Sequence, residues 1–494
     1  MRAIRDAARK SNVHPDGVYA TAAARIMCSL HPSVRARATG RDTPLSVNHG
    51  LVSPSGGFKS TGVGVGEDIT PFPSECGELD LEDAVPWWRC DSGVDLPMDD
   101  SIYEAGLGTS EGLMGVFLRP APKEVIGMGE GGDLYGPPPV PVLPRRTRSM
   151  VTTTEGSQLS RLKGRNGGDY ISGLLQAFSA DSQGNTNADV ERNRKLKKNT
   201  YRQCLVMAMQ FSVVSSILLD KDLGFPQRFR FFVTGEESDV TDEERTAQLR
   251  TVEEMTEEEA VAYLEGAGIN ESGLDPDDPD LRWLVRRMET LALLRNVTFS
   301  FPAKAVAYMH ALNQTSSAPG AELDGHAAAH LIRIAVEQEI LAADDEAFEA
   351  DDDLIDFTGS GHPPHEIRVS LESWEAARVL AGVSSAARDY AIARAEVVLS
   401  LERAHLEQQK VQGSAAQARA QAQARELPPE VSACVNSFKA RVVKGGTKGV
   451  GKNDVVKALH SQLRPFFSRA AAYLLSTGEI KEKTGPRGGV IYFV

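Results

Sequence analysis

Apolar positions along the chain fall into two regimes. Up to about residue 235, short apolar runs alternate with stretches of helical period. Pro15 to Met27 carries Val18, Ala22 and Ile26 at helical spacing, and Leu45 to Val52 is a strand pattern that feeds a Gly-rich stretch. Leu113–Leu118 and Ser149–Thr154 are further strand candidates. Gly136 to Pro144 is a proline-dense loop that no helix or central strand tolerates. Leu205 to Gln210 predicts a buried strand, Val213 to Leu219 a helix after it, and Phe229–Val233 another strand. Strands separated by helices predict a parallel sheet with helices on its faces.

Beyond Gly235 the pattern turns helical and acidic. Glu236 to Glu265 is acidic and helix-prone, and Glu322 to Ala343 shows an apolar stripe through Leu331, Ile334, Ala335, Ile340 and Leu341. The acidic tract Asp344 to Asp356 has neither His nor Gly punctuation and reads as a solvated face rather than a metal site. Ser370 is placed to cap a long helix containing Trp374. An Ala/Gln/Arg-rich stretch from Gly413 to Arg425 continues as helical linker to Pro428-Pro429. From Val431 onward come three helical patterns (Val431–Val443, Asn453–His460, Leu463–Ser476). Two short strands follow, Glu479–Lys483 and Val490–Val494, joined by Thr484-Gly485-Pro486-Arg487-Gly488-Gly489. These shifts divide the chain into 1–235, 236–320, 321–427 and 428–494.

Composition narrows the function classes. The 494 residues carry a net charge of -14, so bulk electrostatics exclude a polyanion binder and any nucleic-acid site must be a local patch. Such a patch exists. Residues 431–494 hold eleven Lys/Arg against Asp454, Glu479 and Glu482, a local charge of +8. Three helices and a terminal hairpin describe a winged helix, with a recognition helix containing Arg464 and Arg469. Lys481, Lys483 and Arg487 fall on the wing, and Lys452, just before the second helical pattern, is a further candidate DNA contact. DNA is the expected partner; a basic protein-docking module is the plainer alternative. The five cysteines are scattered and read as reduced thiols. No apolar run reaches the length of a membrane span and the start is charged, so a soluble cytoplasmic protein is expected.

The candidate chemistry lies in Ser53-Pro54-Ser55-Gly56-Gly57-Phe58-Lys59-Ser60-Thr61. A phosphate loop needs small residues whose N–H groups face the anion, a Lys for charge and a Ser/Thr hydroxyl for Mg²⁺. Ser55, Gly56, Gly57, Lys59, Ser60 and Thr61 are the candidate ATP contacts, with Ser60 the Mg²⁺ ligand. Ser53 and Phe58 stand where the strict pattern has Gly.

In order along the chain, His14-Pro15-Asp16, the Ser53–Ser60 loop, Leu107-Gly108-Thr109-Ser110-Glu111-Gly112-Leu113 and Val151 to Leu159 carry a resemblance. Tyr201 to Gln210, Phe225-Pro226-Gln227-Arg228-Phe229, Asp324-Gly325-His326 and Val369 to Trp374 extend it. Together they resemble a family of P-loop ATPase domains of bacteria, phages and mobile elements, often described as primase- or helicase-associated. The resemblance implies an α/β, RecA-like core with a helical extension. It implies Glu155 as catalytic carboxylate, Gln210 as γ-phosphate sensor and Arg228 as a finger acting across a subunit interface. Thr154 stands where the family has the other acidic residue of its second motif, and the Mg²⁺ shell expects a carboxylate there. The expected function is an ATP-binding, ATP-hydrolysing DNA-transaction protein (helicase, helicase loader or replication initiator), self-associating and working with replication proteins. The alternative is a non-enzymatic DNA-binding or adaptor protein with a vestigial loop.

Overall fold

The computed structural model describes residues 2–38, 40–54, 57, 59–73, 78–79, 98–99, 101–107, 110–120, 142–144, 146–154, 168–185, 194–218, 224, 226–235, 250, 255–267, 278–315, 326–342, 365–425, 427–446, 449–485 and 489–494. Its residues form two compact units, Met1–Leu399 and Ser400–Val494.

The first unit is built on five parallel strands: β1 (Asn48–Ser53), β2 (Tyr103–Ala105), β3 (Arg148–Thr153), β4 (Arg202–Gln210) and β5 (Arg230–Val233). Their spatial order is β5-β1-β4-β3-β2. The α/β architecture with a mainly parallel sheet is therefore present. β4 explains why the sheet is central. Cys204, Val206 and Ala208 join one apolar cluster, while Leu205, Met207 and Met209 join a second on the opposite face. A strand covered on both faces reads as a continuous apolar run instead of an alternating one.

Helices α1 (Pro15–Ser29) and α2 (Lys59–Ile69) cover the first face. They meet almost backbone to backbone: a Cβ on Gly17 would sit 3.7 Å from the Gly62 Cα, and one on Gly66 only 2.5 Å from Thr21 Cβ. Small residues on both helices make that approach possible. Helices α3 (Pro279–Leu293), α4 (Ala303–Thr315), α5 (Ala327–Ala342) and α6 (Leu371–Arg425) follow. Ser370 caps α6, its Oγ accepting from Ser373 N at 3.1 Å.

Several expectations change. Leu113–Leu118 is not a strand: Ser110–Phe117 is helical and only Leu118–Pro120 is extended. That strand pairs with Val142–Pro144, so the end of the proline-dense stretch is not all loop. The acidic 236–320 stretch does not stand apart. Its strand Val297–Ser300 lies parallel to both Arg35–Arg37 and His365–Arg368 in a second sheet, packed into the same core. The units divide at Leu399, not at 427.

The second unit contains helices Pro429–Gly445, Lys452–Ala458 and Phe467–Ser476. An antiparallel sheet places Val490–Phe493 between Val450–Gly451 and Lys481–Thr484. Phe438 anchors the core, 5.1 Å from the Phe467 ring and 5.0 Å edge-on to Tyr492.

Candidate functional site

β1 ends at Ser53, and the chain turns over the carboxyl edge of the sheet into α2. In an open parallel sheet, ligands bind outside the carboxyl ends where the strand order reverses. β1 is that position: β4, β3 and β2 lie to one side of it and β5 to the other. Gly57 N donates to Pro54 O at 3.3 Å, and a Cβ on Gly57 would fall 2.8 Å from Ser53 Cβ. Gly235, just past β5, lies beside Gly57: a Cβ on Gly235 would stand 3.6 Å from the Gly57 Cα, an ordinary contact.

Lys59 opens α2, and its ammonium folds back over the turn. Nζ donates to Ser53 Oγ and Pro54 O, each at 2.7 Å, and to Ser53 O at 3.2 Å. All three partners are neutral oxygens, and burial lowers the Lys59 pKa. Among the described residues no carboxylate pairs with this half-buried cation. Ser60 and Thr61 are exposed on the first turn of the helix. Ser55, Gly56 and Phe58 lie outside the described residues.

Gln210 ends β4 and is in register with Ser53, with its side chain exposed at the same edge. Thr153, the last residue of β3, is in register with Met207. Thr154 follows it exposed, and Glu155 lies outside the described residues. Gln210 is therefore the one candidate for the chemical step among the described residues that shares an edge with Lys59.

Arg228 does not. It sits in the turn Pro226–Arg228 ahead of β5, at the amino edge of the sheet. From there to Thr234 the chain advances about 20 Å at 3.3 Å per residue, beyond an arginine's reach. Its Nη1 donates to Gly224 O at 2.7 Å, and burial lowers its pKa while Asp181 opposes the shift. Arg228 thus cannot serve the phosphate loop of its own chain.

Sequence reasoning missed two carboxylates near β3. Glu104, on β2, forms an ion pair with buried Arg25, whose guanidinium stacks 3.9 Å over Phe72. Glu67 lies eight residues along α2 from Lys59, about 12 Å at 1.5 Å per residue, too far to reach a phosphate there. Burial raises its pKa, with Arg25 acting against the shift.

In the second unit Lys452, Arg469, Lys481 and Lys483 are exposed, and Arg487 lies outside the described residues. Arg464 departs from expectation. It precedes the helix Phe467–Ser476 in a single tight turn, and its guanidinium donates to Leu459 O and Lys457 O, each at 3.2 Å. It closes the end of the preceding helix instead of projecting from the third. The grouping of exposed cations on strand Lys481–Thr484 was visible in the sequence; the occupied guanidinium of Arg464 was not.

No protein-family model matches the chain, and no curated protein matches it. No described helix is long and apolar enough to cross a membrane.

Proposed function

We propose that the first unit is a RecA-like P-loop core that binds ATP with Mg²⁺, and that the second is a winged helix that binds DNA. The observation that carries this reading is the coincidence of loop and topology. Lys59 and the Gly57 turn lie at the carboxyl end of β1, where the order β5-β1-β4-β3-β2 reverses. The N-terminus of α2 adds its positive end at the same place. Lys59 would take the phosphate charge. Ser60 would hold Mg²⁺ together with the nucleotide's own oxygens and water, the usual coordination for that ion. Gln210, beside Ser53, is positioned to sense the terminal phosphate. Helicase, helicase loader and replication initiator are the activities that fit, with DNA bound through Lys452, Arg469, Lys481 and Lys483. The order helix, strand, helix, helix, strand, strand supports the winged-helix reading.

A second reading is favoured by Ser53. Its hydroxyl and carbonyl hold Lys59 in the loop, so the site would be closed and the protein a DNA-binding adaptor. Isothermal titration with ATP and Mg²⁺ separates the two. Wild type should bind one equivalent and Lys59→Ala none, with the protein still folded but its thermal unfolding slightly lowered by loss of the Lys59 hydrogen bonds to Ser53 and Pro54. Equal affinity in both proteins removes the P-loop reading.

A further inference from the structure

Away from the phosphate loop, the first unit contains a cleft of about 300 Å³ between β5 and helices α4, α5 and α6. That volume suits a small organic molecule. Phe229, Phe231, Leu331 and Ile334 supply apolar surface, all of them largely buried. Arg230, Arg378, Arg388 and His330 also line it, and among the described lining residues there is no carboxylate. A cleft with three guanidinium side chains and no acid is unusual for a protein of net charge -14.

Among the described residues, the acids that meet these arginines stand outside the lining. Arg378 Nη1 lies 2.8 Å from Glu375, and Arg388 Nε 3.2 Å from Asp389. Both carboxylates are solvent-exposed, and ion pairs of that kind hold their partners weakly. Arg230 is bonded to buried Glu337 through Nη1. His330 donates from Nε2 to Gln227 O at 2.9 Å, and burial lowers its pKa to about 3, so it lines the cleft as a neutral ring.

Gly382 gives access to the cleft. It lies inside α6, where glycine costs about 1 kcal/mol relative to alanine. In α2, Gly66 is held against α1 by a close neighbour, whereas Gly64, like Gly382, has open space where a Cβ would stand. Gly382 has no heavy atom within 4 Å of its would-be Cβ, yet it lines the cleft. Gly382 is exposed at the cleft's rim, so a large side chain placed there has room to enter the mouth.

We propose that this cleft binds a small anion with an apolar, aromatic body. The ring would lie over Phe229, Phe231 and Tyr308, and the carboxylate or phosphate would be drawn to Arg378 and Arg388. The site is separate from the nucleotide reading and does not depend on it.

The test uses the full-length protein and the fluorescent probe 1-anilinonaphthalene-8-sulfonate, an aromatic anion, with neutral N-phenyl-1-naphthylamine as its uncharged counterpart. Wild type should bind one equivalent of the sulfonate saturably. Gly382→Trp should fill the open space and abolish binding of both probes without lowering the unfolding temperature. Arg378→Glu with Arg388→Glu should weaken the sulfonate about tenfold or more, a change of ~1.4 kcal/mol, and leave the neutral probe within about twofold. Anthranilate displaces the sulfonate if the natural ligand is a carboxylate, and adenosine monophosphate if it is a phosphate. The proposal is overturned if folded Gly382→Trp binds the sulfonate as wild type does. It is equally overturned if the charge reversals weaken both probes alike.

Discussion

Replacing Glu337 by alanine should be among the most damaging single changes in the first unit. Glu337 is fully buried, and its Oε2 accepts from Arg230 Nη1 at 2.6 Å, with the arginine side chain only 2% exposed. Tyr19 OH donates to the other carboxylate oxygen, and His49 Nε2 lies 3.4 Å from the same guanidinium. Four elements meet there: α1 through Tyr19, β1 through His49, β5 through Arg230 and α5 through Glu337. Burial disfavours the charge on Arg230, but Glu337 and Tyr19 outweigh it and raise its pKa. At an effective dielectric near 20, unit charges 2.6 Å apart attract by about 6 kcal/mol, much of it offset by desolvation. Removing only the acid leaves the desolvation and loses the attraction, a net cost of about 3–5 kcal/mol. With a urea slope of about 3 kcal/mol/M, the midpoint should fall by roughly 1 to 1.7 M. All four tryptophans precede residue 399, so their fluorescence follows this unit alone. Pairing Glu337→Leu with Arg230→Met should recover most of the loss, because no orphaned charge remains. A Glu337→Ala shift below about 0.3 M, or a double variant as unstable as the single one, would refute the argument.

Two further outcomes concern other parts of the chain. Arg464→Ala should lower the melting temperature of the second unit, measured by calorimetry, because it frees two helix-end carbonyls, whereas Arg469→Ala should leave it unchanged and weaken duplex DNA binding relative to Lys410→Ala. Burial lowers the pKa of His326 to about 4 and of His330 to about 3, against 6.5 unfolded. Their contribution is therefore complete above pH 6.5 and lost as pH falls toward 4 and 3, and His326→Gln with His330→Gln should flatten urea stability measured across that window.

The strands that build the centre of the sheet were legible because both of their faces are buried. In the central β4, Leu205 to Met209 is an unbroken apolar run; Phe229 to Val233, at the end of the sheet, is apolar apart from Arg230, and no helical period competes with either. Leu113–Leu118 is just as apolar but too short for its period to separate strand from helix, and it became a helix. β2 was invisible: Tyr103, Glu104 and Ala105 carry no pattern, and edge pairing with β3 makes them a strand. The second sheet pairs Arg35–Arg37 with residues some 260 positions away, a contact no local signal encodes. That pairing explains why the acidic composition of 236–320 misled the division into domains. The placement of Lys59 and Gln210 at the carboxyl edge could be read from motif and strand end; that of Arg228 at the amino edge could not, since a motif gives no sign of which edge of a sheet it occupies.

The close seam between α1 and α2 has a mechanical meaning. Where large side chains meet, rotamer changes absorb small displacements, but Gly17 and Gly62 leave only backbone to backbone. A tilt or slide of α2 as the Lys59 turn opens would find no soft layer beneath it. It would press directly on α1, two residues from the Tyr19 hydroxyl that grips Glu337. That grip leads into α5, which forms one wall of the cationic cleft through His330, Leu331 and Ile334. The joint behaves as a rigid bearing, stiff under compression and compliant only where the helices separate.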